Sequence, residues 1–144
     1  MEQDRKIPVE VTISGFHASG EEDAEIKEVH DGYFSRRGES TYIIWEEPQG
    51  VKAMLKISEG KTEVKKSLPG ASNSVLSSLS YEKGKSLPGF YHTPYGRLDI
   101  ETFTKETVFK EQRDSFRVDM KGSIKMNGSP VSDFNLKIVA AVKI

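Results

Sequence analysis

The last third of the chain constrains the fold most. From Phe116 onward the apolar residues fall on every second position. Phe116, Val118, Met120, Gly122, Ile124 and Met126 share one face, and Arg117, Asp119, Lys121, Ser123 and Lys125 the other. After Asn127-Gly128 a second run sets Phe134, Leu136, Ile138, Ala140, Val142 and Ile144 against Asp133, Asn135, Lys137 and Lys143. A period of two marks a strand with one buried face, because successive side chains leave the pleat on opposite sides. Asn-Gly supplies the two positive-φ residues that a tight hairpin turn requires. Each run is about a dozen residues, close to 40 Å at ~3.3 Å per residue. Strands of that length twist and coil. A strongly twisted sheet tends to close, which also removes its exposed edges.

The earlier chain follows the same rhythm in shorter pieces. Val9, Val11 and Ile13 alternate with Glu10, Thr12 and Ser14, and Gly15 with Ala18 to Glu22 is expected to end that strand. Ala24 to Phe34 is less regular, and Gly32 favours a bulged strand there over a short helix. Arg36 to Glu39 reads as a turn. Thr41 to Trp45 is a dense strand stopped at Pro48-Gln49-Gly50. Val51, Ala53, Leu55 and Ile57 alternate next, and Thr62, Val64, Lys66 and Leu68 follow the Glu59-Gly60 turn. Lys-Ser-Leu-Pro-Gly occurs at both Lys66–Gly70 and Lys85–Gly89. The pair reads as two Pro-Gly turns with similar flanks rather than a repeated recognition element. Val75 to Tyr81 makes a strand between them, and another starts at Leu98 and runs through Val108. Roughly eight to ten strands with short turns and no long helix predict an all-β fold. An antiparallel up-and-down β-barrel is preferred to a sandwich. One barrel domain is expected over 1–144, with 1–6 as a disordered tail.

Composition narrows the function classes. At 144 residues the chain can bury one real core. Its 21 basic and 22 acidic residues leave a net charge of −1, which argues against a dedicated nucleic-acid binder. No apolar run reaches the ~18 residues of a membrane helix, and no apolar segment follows the polar Met1–Lys6 as a secretory signal would require. The absence of cysteine excludes disulfides and thiolate zinc sites. The expectation is a cytoplasmic protein with no membrane or nucleic-acid partner and no cofactor, either a monomer or a homodimer.

Candidate chemistry is sparse. His17, His30 and His92 lie on separate segments without a metal-ligand spacing, so no metal site is expected. Glu46 and Glu47 are adjacent and point to opposite faces of a strand, so they form no same-face acid pair. One of them can face the barrel interior, although a rim position beside Pro48 is preferred. No phosphate loop, nucleophile elbow or Ser-His-Asp order is present, and Ser77, Ser78 and Ser80 have no nearby base. Lys52, Lys56, Lys121 and Lys125, interleaved with acids, read as a solvated exterior. The set that best fits a ligand is Tyr42, Glu46, Tyr91, Thr93, Tyr95 and Arg97. Aromatic rings with polar tips, a hydroxyl and a guanidinium suit an amphipathic molecule with an anionic end.

Gly15, Asp31-Gly32-Tyr33-Phe34, Tyr42-Ile43-Ile44-Trp45-Glu46-Glu47, Tyr81-Glu82-Lys83-Gly84 and Tyr91-His92-Thr93-Pro94-Tyr95-Gly96 together carry a resemblance. The chain resembles the bacterial YwiB-like family, a domain of unknown function, from about Pro8 to Lys143. The Tyr-x-Thr-Pro-Tyr-Gly run is the most specific piece. The resemblance implies a calycin/lipocalin-like β-barrel in a cytoplasmic bacterial protein and brings no catalytic residues. In that family a basic residue often precedes the glycine aligned with Gly70. Leu68-Pro69-Gly70 stands here, which speaks against an anion-binding turn.

Three functions follow in rank order. The first is a barrel that binds a small amphipathic ligand in or at its mouth. The second is a fully packed structural or protein-interaction module. The third is a hydrolase-type enzyme using Glu46 or His92, so the reading leans away from catalysis.

Overall fold

A computed structural model describes residues 6–19, 22–70 and 74–143, and of residues 16–19 and 22–26 the backbone alone. The strands are β1 (Ile7–Ser19), β2 (Glu22–Arg37), β3 (Ser40–Glu46), β4 (Lys52–Ser58), β5 (Lys61–Leu68), β6 (Ser74–Glu82), β7 (Ser86–Thr93), β8 (Gly96–Glu111), β9 (Ser115–Met126) and β10 (Ser129–Val142). Each pairs antiparallel with the next. β10 returns to β1 from Val9↔Val142 to Ala18↔Asp133, which closes a ten-stranded up-and-down barrel. This closure decides for the barrel over the sandwich, and the architecture is consistent with a calycin/lipocalin-like fold.

The register shows which face is inside. Directly opposed residues in an antiparallel ladder share a face. Val11 is opposite both Ala140 and His30, Gly32 is opposite Trp45, and Leu55 is opposite Val64. The alternating apolar residues of β1, β9 and β10 therefore line the bore with Ile43, Trp45, Ala53 and Leu55, all buried. Asn127 and Gly128 have φ of 52° and 80°, the conformation that suits the two-residue turn between the two longest alternating runs.

Three local expectations are corrected. Gly15 does not end β1, which runs on to Ser19. β2 carries no bulge, since its pairing with β1 is unbroken from Ile7↔Phe34 to Ser19↔Glu22. Both Gly15 and Gly32 are sites of close approach rather than breaks. A Cβ would stand 2.0 Å from the Asn135 carbonyl oxygen at Gly15 and 2.3 Å from that of Ile44 at Gly32. The second Lys-Ser-Leu-Pro-Gly is no turn: Ser86 to Gly89 lie inside β7. Pro88 is tolerated because the β6–β7 ladder is confined to Ser77↔Tyr91 and Ser78↔Phe90. The expected tail, apart from Lys6, lies outside the described residues, as do Ile144 and part of the Ala18–Glu22 stop.

The strands are unequal. β3 to β7 have seven to nine residues, whereas β1, β2 and β8 to β10 have twelve to sixteen. β2 pairs with β3 only from Gly32 to Arg37. Its first half, Glu22–Asp31, therefore overshoots the short wall. One end of the barrel is bounded by a tall and a low side, and the site lies there.

Candidate functional site

The turns after β1, β3, β5, β7 and β9 share one end of the barrel, because strand direction alternates. Below them lies a cavity of about 410 Å³. Its walls are apolar, with Ile13, Val64, Leu79, Phe134 and Leu136 among them, and its polar lining includes Glu28, Lys66, Ser77, Tyr81, Tyr91 and Asn135. Trp45 borders both this cavity and an outer groove that reaches His30, Tyr33, Glu47 and Pro48.

A polar cluster stands where cavity and groove meet, and each member follows from strand phase. Glu28 and His30 face inward on the overshooting half of β2, opposite Ile13 and Val11. Glu47 continues the inward phase of Trp45 beyond the end of β3. Its backbone N–H donates to the Val51 carbonyl at 2.8 Å and clamps the short 3-10 turn Pro48–Gly50. Lys66 is in phase with Val64 on β5 and lies opposite Ser77. Glu47 Oε2 accepts from Trp45 Nε1 at 3.1 Å and from Lys66 Nζ at 3.0 Å. His30 Nε2 is 2.8 Å from Glu28 Oε1. One ligating atom each of Glu28, His30 and Glu47 lies within 4.8 Å of the others.

Deeper in, Tyr81 packs edge-on against Phe134 with ring centroids 5.7 Å apart. Burial raises the Tyr81 phenol well above its usual range, and the nearby Tyr91 adds to the shift. Burial also raises Tyr91. Desolvation disfavours a phenolate, so both rings present neutral hydroxyls to the cavity.

Of the residues singled out from the sequence, Tyr91 lines this cavity. Tyr42 is out of phase with the inward Ile43 and carries Lys56 over its ring at 5.8 Å. Glu46 is exposed and borders the outer groove. Thr93 shapes the β7–β8 turn: its Oγ1 donates to the Gly96 carbonyl at 2.8 Å and accepts from the Tyr95 N–H at 3.1 Å. Tyr95 at the turn tip is fully exposed. Arg97 stacks 4.2 Å from the Phe90 ring centroid and donates to Asp99 at 2.8 Å. The structure thus places Tyr91 in one cavity with Glu28, Lys66 and Tyr81, joins His30 to Glu28 and Glu47 to Lys66 from the groove side, and leaves Arg97 on the outer wall. Of the two adjacent glutamates, Glu47 is the one turned inward. His92 borders the cavity, and the His17 side chain lies outside the described residues. Glu28-x-His30 was the readable signal for the cluster, since a spacing of two places both on one strand face.

A model of the family described as "Domain of unknown function (DUF1934)" matches residues 11–138. The chain belongs to the DUF1934 family. The DUF1934 barrel is similar in structure to the ywiB protein from Bacillus subtilis, with a TM-score of 0.79 and 18% sequence identity, covering 96% of this chain and 94% of that one. At that identity the likeness is one of fold. No curated protein matches the chain. Among the described residues, no helix of the DUF1934 barrel is long and apolar enough to cross a membrane.

Proposed function

We propose that the barrel binds a small amphipathic molecule, held in the cavity at its open end. The observation that supports this best is the cavity itself: about 410 Å³, with apolar walls and several polar groups among its lining. Ligand sites commonly have volumes of ~300–1,000 Å³ and this kind of lining. Trp45, the single tryptophan, borders the cavity and is buried, so it reports on what enters. Glu46 and His92, the residues considered for hydrolysis, lie on β3 and β7, which are not neighbours in the sheet.

The test is native mass spectrometry of the protein purified from its own host, joined to Trp45 fluorescence during titration with a hydrophobic dye. The expected result is a small-molecule adduct, together with saturable dye binding that the recovered molecule competes away. Empty protein whose Trp45 emission stays flat supports instead the packed structural or interaction module.

A further inference from the structure

We infer that the ligand's polar end is a cation, most simply a primary ammonium. The inference rests on the proposed cavity and concerns what its charged side recognises. Two carboxylates, Glu28 and Glu47, meet there with one ammonium, Lys66. Glu47 Oε2 takes both the Trp45 and Lys66 bonds, and Glu28 Oε1 takes His30. The other oxygen of each carboxylate has no donor among the described residues. The Glu28 side chain is 44% exposed and that of Glu47 only 13%, so the second sits where a charge-assisted bond is strong.

The deeper wall points the same way. Tyr81 is 6% exposed and lines the cavity. A neutral phenol oxygen accepts from N–H donors and its ring face attracts cations. For an anion the site is poor. Among the described residues Lys66 is the one lysine or arginine that lines the cavity, and it is already bound to Glu47; Lys6, Lys52 and Lys143 border the outer groove instead, and Arg97 lies on the outer wall. An ammonium donates three bonds and bridges two carboxylates while its chain runs down the apolar wall. A divalent metal held by Glu28, His30 and Glu47 would place its double charge beside the Lys66 ammonium, which is already bound to Glu47.

Three probes of equal length separate the possibilities: octylammonium, octanol and octanoate. Each is titrated into the full chain and followed by Trp45 fluorescence and calorimetry. Octylammonium is expected to bind about tenfold or more tighter than octanol, the size of a charge-assisted hydrogen bond, with octanoate weakest. Each added methylene should tighten the ammonium series about fourfold. Glu47→Gln and Glu28→Gln should each weaken octylammonium about tenfold yet leave octanol within about twofold, and octanol binding also shows that the variants fold. Lys66→Met should strengthen octylammonium and weaken octanoate.

Octanoate binding more tightly than octylammonium, or glutamate variants that leave the ammonium-to-octanol ratio unchanged, would overturn the cation while the cavity reading stands. Failure of all three probes removes the cavity reading itself. Zinc ion alone binding, lost in His30→Ala, with octylammonium silent, would replace the ammonium with a metal.

Discussion

The two ends of the barrel are built on one ladder of strands and do opposite things. At the closed end Phe34 and Phe116 meet with ring centroids 5.8 Å apart. Arg36 of β2 reaches Glu111 of β8 with two bonds, Nη2 to Oε1 at 2.8 Å and Nη1 to Oε2 at 3.2 Å. Three strands separate β2 from β8 in the sheet order, so the pair spans the bore. One cation meets one anion there, both forks are filled, and the pair offers nothing further to bind. At the open end Glu47 holds the one lysine of the cluster and Glu28 is paired with His30, and the side chains stop short of filling the bore. The difference comes from strand length: where β2 overshoots β3, β1 still pairs with one edge and no strand pairs with the other. Closure depends on partners reaching one another across the bore, and a site forms where one wall outruns the other.

If that contrast is right, removing bulk should hurt the two ends unequally. Phe116→Ala at the closed end should cost about 3–5 kcal/mol in urea unfolding, and Leu76→Ala on the cavity wall less than about 1.5. Equal costs would mean that the open end is as tightly packed as the closed one. Trp45→Phe sharpens the same comparison, because it removes a buried ring segment and the bond to Glu47. A loss of about 2 kcal/mol is expected, with weaker dye binding.

Tyr81 tests the alkaline side. Its folded pKa is raised above the unfolded value near 10, so its contribution is complete below about pH 10 and is lost as pH rises towards the folded value. Denaturation monitored by tyrosinate absorbance should show Tyr81 ionising only as the barrel opens. Free titration of every tyrosine near pH 10 in folded protein would contradict the burial.

Between the ends, Thr104 is fully buried and its hydroxyl has no partner among the described residues. Thr104→Val keeps the shape and removes the unpaired oxygen, so it should raise stability by about 1 kcal/mol. A loss of similar size would show that the hydroxyl is satisfied in solution.

The smallest effect is expected at the Arg36–Glu111 pair, which is half exposed. Arg36→Gln should cost no more than about 1 kcal/mol at neutral pH. Hydrogen bonding to Arg36 lowers the Glu111 carboxyl below its usual range. The pair's contribution is therefore present above the ordinary carboxylate range and is lost as pH falls through the lowered value. The gap between wild type and variant should close below about pH 4. A gap that persists in acid would assign the effect to packing of Arg36 on Phe34 instead.

The fold was legible because it is written in local order. The inward phase of β9 and β10, the Asn127-Gly128 turn and the alternation of β1, β4 and β5 each depend on neighbours a few residues away. Gly15 and Gly32 looked like interruptions only because the carbonyls that crowd them belong to other strands. Of the candidate site, Tyr91, Lys66 in step with Val64 and the opposite phases of Glu46 and Glu47 were legible in the sequence, whereas the spacing of Glu28 and His30 went unread. What joined them was the closure of ten strands of unequal length and the register shift between Lys66 and Ser67. Side-chain phase is a property of one strand, so the sequence alone determined which apolar residues of β1, β9 and β10 face the bore. The meeting of Glu28, His30, Glu47 and Lys66 depends on how far each strand runs past its neighbours, and only the assembled barrel decides that.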